Sequence, residues 1–257
     1  MKLALPELNN SKYKSRSQYI RIITETWLKN EMYCPVCGNV SLSKLKNNAK
    51  MADFLCKNCG EIYELKSKKT PPALKIIDGS YYAALERITS NTNPNLLVLT
   101  YDSKYIIDNL TVIPKYFLTP DILLKRKPLS ANARRAGYVG CFIQYGMIVN
   151  YGKISIVKSY IEEDKNVVLD NYKSVSRLEI ESINLRGWIM DILKCVDKIN
   201  QNIFSLNDLY TFEHELEQKH PDNRNIRAKI RQQIQFLRNK GFIEFLGNGI
   251  YRKILRG

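Results

Sequence analysis

The chain has 257 residues, 44% hydrophobic and 25% charged, which is typical of a globular protein with one large or two smaller domains. No apolar run reaches the roughly eighteen residues of a membrane helix, and residues 1–10 lack the pattern of a secretion signal, so we expect a cytoplasmic protein. A net charge of +15, from 40 basic and 25 acidic side chains, favours nucleic acid over a membrane surface, because amphipathic and lipidation motifs are missing.

Two CxxC pairs come first along the chain, with 18 residues between them. A two-residue spacer lets one tight turn aim both sulfurs at the same ion, and two such turns complete a closed tetrahedral Zn²⁺ site. The predicted ligands are Cys34, Cys37, Cys56 and Cys59. We expect a structural role, because four protein ligands leave no position open for catalysis. The alternative is a pair of disulfides, which a cytoplasmic location disfavours.

Ionisable residues lie close to the second cysteine pair. Alternate residues of an extended strand share a face, so Glu64 and Lys66 point one way while Tyr63 and Leu65 face the opposite side. If Asp53 lies on a neighbouring strand, its carboxylate meets that of Glu64, and the two hold Mg²⁺ with help from the Leu65 carbonyl. Lys66 then orients water and neutralises the charge that develops when a phosphodiester is hydrolysed.

The spacing of Asp53, Glu64 and Lys66 has the form of the PD-(D/E)xK nuclease motif, although Ala52 stands where proline is usual. A Glu-x-Lys pair by itself also fits an ordinary solvated ion pair on a strand, so the motif depends on its context. A helix near residues 80–89 and an apolar strand at Asn95–Tyr101 follow. These elements predict a mixed sheet flanked by helices, in keeping with a nuclease core.

A basic segment at residues 125–140 carries the next candidate group, with glycines at positions 137 and 140 that permit close backbone approach to a ligand. We predict contacts with phosphates or base edges, the alternative being a solvated loop. The candidates are Arg126, Arg134, Arg135 and Tyr138. Beyond this segment the pattern predicts a strand around Ile154 and a turn near residue 163. Cys141 and Cys195 stand alone and are expected to be buried.

From about Ile183 the pattern predicts three helices. The first carries an apolar stripe from Trp188 to Ile199. The second begins at a capping box, Ser205 to Asp208, and buries Leu209, Phe212 and Leu216. A hairpin around Gly247-Asn248-Gly249 follows the third helix and completes a winged helix.

The third helix, near residues 222–240, is predicted to have two distinct sides. Its apolar side faces the core and contains Ile226, Ile230, Gln233, Ile234 and Leu237. The other side is suited to phosphates and guanine edges and contains Arg224, Arg227, Arg231, Gln235 and Arg238. We therefore predict a DNA-recognition helix, with a protein-binding winged helix as the alternative.

Together, these motifs make the chain similar to DpnI-like methyl-directed type II restriction endonucleases of the PD-(D/E)xK superfamily. The stretches that carry the resemblance run in order along the chain: Tyr33 to Asn39, Ala52 to Phe54, Glu64 to Lys69, Arg126 to Leu129, Ala133 to Gly137, Arg186 to Trp188 and Lys229 to Gln233. The resemblance implies cleavage of double-stranded DNA at GATC when its adenine is N6-methylated. It also implies metal binding by Asp53 and Glu64, the lysine role for Lys66, and zinc at the four cysteines.

The resulting expectation is an α/β (mixed α+β) protein with a nuclease core at residues 1–182 and a winged helix at residues 183–257. Tyr138 replaces a tryptophan found in the family, at a position that the resemblance links to sensing of the adenine methyl group. We expect a monomer without an obligate protein partner, using catalytic Mg²⁺ and structural Zn²⁺. Two other functions remain open: a non-catalytic zinc-ribbon and winged-helix regulator, and a GATC nuclease that is indifferent to methylation.

Overall fold

The computed structural model describes residues 1–9, 13, 15–46, 52–69, 74–90, 92–179 and 182–254. Within these ranges the chain is a mixed α+β protein with a helical C-terminal part. The helices are α1 (Arg16–Glu31), α2 (Tyr81–Thr89), α3 (Lys165–Ser176), α4 (Ile183–Lys198), α5 (Leu206–Tyr210), α6 (Glu213–Lys219) and α7 (Ile226–Asn239). None of them has the length and hydropathy that a membrane span requires.

The strands of the described residues form three sheets. They are β1 (Ser43–Lys44), β2 (Phe54–Leu55), β3 (Ile62–Lys68), β4 (Ile76–Ser80), β5 (Asn95–Tyr101), β6 (Ile107–Ile113), β7 (Leu123–Lys125), β8 (Gly140–Ile143), β9 (Ile154–Lys158), β10 (Ile161–Glu162), β11 (Ile203–Ser205), β12 (Ile243–Gly247) and β13 (Ile250–Lys253).

The largest sheet runs in the order β1-β2-β3-β5-β6-β9-β10 and forms the framework of the first part of the chain. β3 and β5 are parallel, and the other neighbouring pairs are antiparallel. β5 is buried along its whole length, as its continuous apolar run predicts, and its bounds match the predicted strand. β3, the predicted catalytic strand, therefore lies between short β2 and the centre of the core.

A second sheet, in the order β4-β8-β7, packs against α2. The sequence analysis did not predict this sheet. β4 leads directly into α2, while residues 126–139 join β7 to β8 as a long loop. This sheet therefore places the predicted basic loop beside β4.

The C-terminal part confirms the predicted apolar faces. The α4 stripe from Trp188 to Ile199 is buried, as is the α7 side from Ile226 to Leu237. The capping box at Ser205 and Asp208 is present in both directions. The β12–β13 hairpin turns through Gly247, Asn248 and Gly249, all three with positive φ, and pairs with β11.

Two details of the predicted helices are wrong. The second helix is interrupted at Thr211–Phe212, so α5 and α6 replace it, and Phe212 is only half-buried. Acidic residues in the first turn of α6 favour a new helix start there, because they offset the positive end of the helix dipole. The third helix begins at Ile226 rather than near residue 222. Arg224 consequently lies before the helix and not on it.

Candidate active site and nucleic-acid interface

The four cysteines of the two CxxC pairs converge on one point. Their sulfur atoms all lie within 4.8 Å of one another. Among the described residues, this is the one group of three or more His, Cys, Asp or Glu side chains close enough to hold a metal ion. Two of the sulfur–sulfur distances, Cys34 to Cys59 and Cys37 to Cys56, are 3.6 Å. Tetrahedral Zn²⁺ with Zn–S bonds of about 2.3 Å would hold its sulfurs about 3.8 Å apart. The arrangement is therefore compatible with structural zinc.

The two cysteine pairs have matching local backbone structure. In each, the glycine after the second cysteine donates its N–H to the carbonyl of the first cysteine, at 2.8 Å for Gly38 and 2.9 Å for Gly60. Both glycines have positive φ, 73° and 77°, which explains why glycine stands at both places. The backbone N–H groups of Cys34 and Cys56 donate to the carbonyls of Asn39 and Glu61, both at 2.8 Å. The chain thus forms the same tight turn twice.

Neighbouring side chains add polar contacts to the sulfurs. The Tyr63 hydroxyl lies 3.0 Å from Cys34 Sγ, and the Asn58 amide donates to Cys37 Sγ at 3.4 Å. Burial raises the pKa of the Cys34 thiol to about 11, so a bound cation is what would keep this sulfur a thiolate at neutral pH. Because Tyr63 belongs to β3, the cysteine cluster is in direct contact with the strand that carries Glu64 and Lys66.

The register of β2 and β3 places Asp53 beside Glu64. Phe54 pairs with Tyr63, so the next position outward sets Asp53 opposite Glu64, and the Asp53 N–H donates to the Tyr63 carbonyl at 2.9 Å. The Asp53 carboxylate accepts the Leu65 N–H at 2.8 Å. Tyr63 is fully buried, while Glu64 and Lys66 form an ion pair at 2.7 Å. The predicted division of β3 between a core side and a charged side is thus present.

Two further charged residues, which the sequence interpretation missed, join Glu64 and Lys66. Asp78 of β4 forms a short ion pair with Lys66, and Arg87 of α2 contacts Glu64 Oε2 at 2.8 Å. Arg87 also lies 3.9 Å from Asp78. Neither residue is near β3 in sequence, and only the packing of the second sheet and α2 brings them together. An acidic residue in an otherwise apolar strand, Ile76-Ile77-Asp78, was the one available signal.

The four charges interact strongly. Burial lowers the pKa of Lys66, but the carboxylates of Glu64 and Asp78 outweigh burial and hold that pKa above its ordinary value. Burial raises the pKa of Asp78, but Lys66 outweighs it and brings that pKa below the usual range. Lys66 is consequently a cation at neutral pH, which suits charge stabilisation and not proton abstraction.

The predicted Mg²⁺ ligands fit that ion by their chemistry. Asp53 lies one position beyond the Phe54–Tyr63 pair, directly before β2, and Glu64 follows Tyr63 on β3. Leu65, whose N–H donates to the Asp53 carboxylate, is the next residue of β3. Mg²⁺ prefers hard oxygen donors such as carboxylates and keeps several waters. In the structure Glu64 is engaged by Lys66 and Arg87, so a bound cation would share or displace these two partners.

The basic loop between β7 and β8 exposes its three predicted arginines, while Tyr138 is half-buried. Leu129 and Tyr138 close its base with a backbone hydrogen bond of 3.0 Å, and the Arg135 guanidinium lies 5.8 Å from the Tyr138 ring centre. The Tyr138 hydroxyl lies 3.9 Å from where a Cβ at Gly79 would stand, one residue from Asp78. The loop is therefore adjacent to the charged cluster.

The two loop glycines differ in their surroundings. Gly137 is exposed with φ 75° and has open space where a side chain would be, so its left-handed backbone conformation is the reason for glycine that the structure shows. Gly140 is buried, and an added Cβ would lie 3.4 Å from Arg126 Cδ. This distance is an ordinary van der Waals contact, so the expectation of close backbone approach at Gly140 stays a prediction.

The polar side of α7 is exposed at all four predicted positions that lie on the helix: Arg227, Arg231, Gln235 and Arg238. Arg227 pairs with Glu213 at 2.8 Å, and Arg231 donates to the Tyr210 hydroxyl at 3.0 Å. The remaining candidate, Arg224, lines a cleft of about 1010 Å³ together with Asp121 of the first part of the chain. Arg224 is thus separated from the helical row.

Family models match the chain over almost its whole length. Residues 1–181 match the model described as DpnI, the Dam-replacing family, and residues 184–253 match the Dam-replacing HTH domain. The chain belongs to the Dam-replacing family. Membership of this DpnI family implies a methylation-dependent restriction nuclease, and the C-terminal HTH domain indicates DNA binding.

Proposed function

We propose that this member of the Dam-replacing family is a Mg²⁺-dependent type II restriction endonuclease that hydrolyses both strands of double-stranded DNA at GATC sites with N6-methylated adenine. The observation that carries the proposal is the β2–β3 register, which sets Asp53 opposite Glu64 with Lys66 two residues further along the same strand. This is the placement that the PD-(D/E)xK reaction requires. Family membership supports the nuclease class and its dependence on methylation.

The proposed catalytic roles follow from the chemistry of each group. Asp53, Glu64 and the Leu65 carbonyl would hold Mg²⁺, which when bound supplies a Lewis acid beside the scissile phosphate. Lys66 orients the attacking water and stabilises the negative charge that develops on the phosphate oxygens. Cys34, Cys37, Cys56 and Cys59 would hold structural Zn²⁺, which would fix the segment containing Asp53 against β3.

Two separate surfaces are proposed to read the DNA. In the first, Arg126, Arg134 and Arg135 contact the backbone or base edges, and Tyr138 offers a flat apolar face to the adenine methyl groups. In the second, Arg227, Arg231, Gln235 and Arg238 of α7 enter the major groove, as in other winged helices. Arg224 contacts the backbone from the cleft beside α7. Recognition of the same methylated sequence by both surfaces would increase the specificity of cleavage.

We place the division between the catalytic and the winged-helix domain at residues 182–183. One catalytic set per chain suits a monomer that cuts the strands in turn without an obligate protein partner. The enzyme acts in the cytoplasm, where incoming DNA is encountered. A host that contains it must leave its own GATC sites unmethylated, because methylated sites would be cut.

A plasmid digestion tests this function. The same plasmid is prepared from adenine-methylating and from non-methylating cells, and each preparation is incubated with the protein and Mg²⁺. Fragments that end at GATC sites in the methylated preparation alone are the expected result. Equal cutting of both preparations would favour a nuclease indifferent to methylation. Cutting of neither, by a folded protein that contains zinc and binds DNA, would favour the non-catalytic regulator.

A further inference from the structure

We propose that Asp78 is a positioning residue for Lys66, which keeps the lysine ammonium in place when a divalent cation occupies Glu64. The inference rests on the proposed nuclease function and deepens it. It starts from a competition within the site, because Glu64 is both a proposed metal ligand and one of the two carboxylates that hold Lys66.

The Lys66 ammonium lies between Glu64 Oε1, at 2.7 Å, and Asp78 Oδ1. When Glu64 turns its oxygens to a metal ion, the attraction between Glu64 and Lys66 weakens, because the ion draws on the same negative charge. Asp78 lies beyond the proposed ligand set and keeps its full charge for the lysine. Without Asp78, the Lys66 ammonium would either leave its position or keep its ion pair with Glu64, and that ion pair would compete with metal binding.

Burial and hydrogen bonding restrict the position of the Asp78 side chain. Its side chain is only 4% exposed, and its Oδ1 also accepts the N–H of Gly79 at 2.7 Å. β4 belongs to a different sheet from β3, and it is held by pairing with β8, where Asp78 stands opposite Cys141. The backbone that carries this carboxylate is therefore held by its own sheet and does not depend on β3 or on the metal.

Arg87 has the opposite relation to the metal. Its guanidinium contacts Glu64 Oε2 at 2.8 Å but is 3.9 Å from Asp78, so its main partner is the proposed metal ligand. Removing Arg87 takes a competing cation away from Glu64, whereas removing the charge of Asp78 leaves Lys66 with Glu64 alone. The two substitutions are consequently expected to change divalent-cation affinity in opposite directions.

The test compares Asp78→Asn, Asp78→Glu and Arg87→Gln with the wild type, and Asp170→Asn, a change at an exposed aspartate of α3, serves as the matched control. Binding of Ca²⁺ is measured by calorimetry without DNA turnover, and cleavage of methylated DNA is measured in single turnover at saturating Mg²⁺. We expect Asp78→Asn to weaken Ca²⁺ binding several-fold. We also expect it to slow cleavage by roughly 10- to 100-fold, since a misplaced catalytic group costs about that much.

The other variants complete the pattern. Asp78→Glu should recover part of the cleavage rate, Arg87→Gln should strengthen Ca²⁺ binding, and Asp170→Asn should change neither quantity. Affinity for methylated DNA should stay within about twofold for Asp78→Asn, because the loss lies in the chemical step. Weaker Ca²⁺ binding in both Asp78→Asn and Arg87→Gln would overturn the inference and make the cluster merely structural. So would wild-type cleavage by Asp78→Asn, whereas an inactive wild type would instead refute the proposed function.

Discussion

At the scale of single residues, the proposed chemistry depends on a lysine that remains positively charged. Lys66 lies between two carboxylates that hold its pKa above the ordinary value. The protonated form, which these carboxylates favour, is the form that stabilises developing negative charge. The role assigned to Lys66 is therefore electrostatic, and its removal should affect the reaction and not DNA binding.

We predict that Lys66→Ala slows cleavage of methylated DNA by roughly 100-fold or more, since loss of one preorganised charge-stabilising group commonly costs that much. Affinity for the DNA, measured by gel shift with Ca²⁺ in place of Mg²⁺, should change little. The matched control is Lys68→Ala, which removes an exposed lysine two residues further along β3. Full-rate cleavage by Lys66→Ala would contradict the proposed mechanism.

Tyr138 is the residue through which we propose that the adenine methyl group is recognised, at a position where the resemblance implies a tryptophan. A tryptophan offers a larger apolar face, and each methyl or methylene group buried is worth about 0.8 kcal/mol, or roughly fourfold in rate. We predict that Tyr138→Trp increases the ratio of cleavage rates on methylated and unmethylated duplexes, and that Tyr138→Ala lowers it. Unchanged ratios in both variants would show that the methyl group is sensed elsewhere.

At the scale of secondary-structure elements, the cysteine cluster links two loops to β2 and β3. Cys56 directly follows β2, and Tyr63 of β3 contacts Cys34. Zinc at this position would fix β3, which carries Glu64, and β2, which Asp53 directly precedes, although the zinc lies outside the proposed chemistry. Loss of the zinc should consequently lower the stability of the fold.

We predict one Zn²⁺ per chain and its loss in Cys59→Ala, together with a melting temperature lowered by roughly 10 °C or more. Zinc content is measured by atomic absorption and melting by calorimetry. Cys195→Ala provides a control, because this cysteine is buried in α4 away from the cluster. Full zinc content in Cys59→Ala would exclude the four-cysteine site.

The α7 helix supplies a second element-scale prediction. Arg231 and Arg238 are exposed on the same side as Arg227 and Gln235. If Arg231 and Arg238 contact bases, replacing either with alanine should weaken DNA binding by about 1–3 kcal/mol. If they contact phosphates instead, each replacement should lower the slope of log binding constant against log salt concentration by about one. Lys173→Ala, at an exposed lysine of α3, is the control. Equal binding by all variants would favour a protein-binding winged helix.

Elements with strong local patterns could be predicted from the sequence, and elements defined by packing could not. The apolar run of β5, the stripes of α4 and α7, and the capping box at Ser205 all indicated their structures. The second sheet is different, because its strands are short and pair residues as distant as Asp78 and Cys141. Asp78 and Arg87 consequently escaped prediction, since they reach Glu64 and Lys66 only through that sheet and α2.

At the scale of the whole molecule, the two parts of the chain are in direct contact. Asp121 pairs with Lys194 of α4 at 2.5 Å, and Tyr151 donates its hydroxyl to the Leu193 carbonyl at 3.5 Å. α4 thereby contacts the short turns that precede β7 and β9. Both proposed DNA-reading surfaces, the basic loop and α7, belong to this connected unit, so engagement of one can assist engagement of the other.

The central claim is that the enzyme cuts DNA because its adenine is methylated. The most direct measurement uses two synthetic duplexes that contain one GATC site and differ only in N6-methyl groups on its two adenines. Both are incubated with Mg²⁺ in single turnover, with the Lys66→Ala protein alongside. We predict cleavage of both strands of the methylated duplex at least roughly 10- to 200-fold faster than of the other, since recognition of even one of the two methyl groups provides that discrimination. Equal rates on the two duplexes, or rates that persist in Lys66→Ala, would contradict the account.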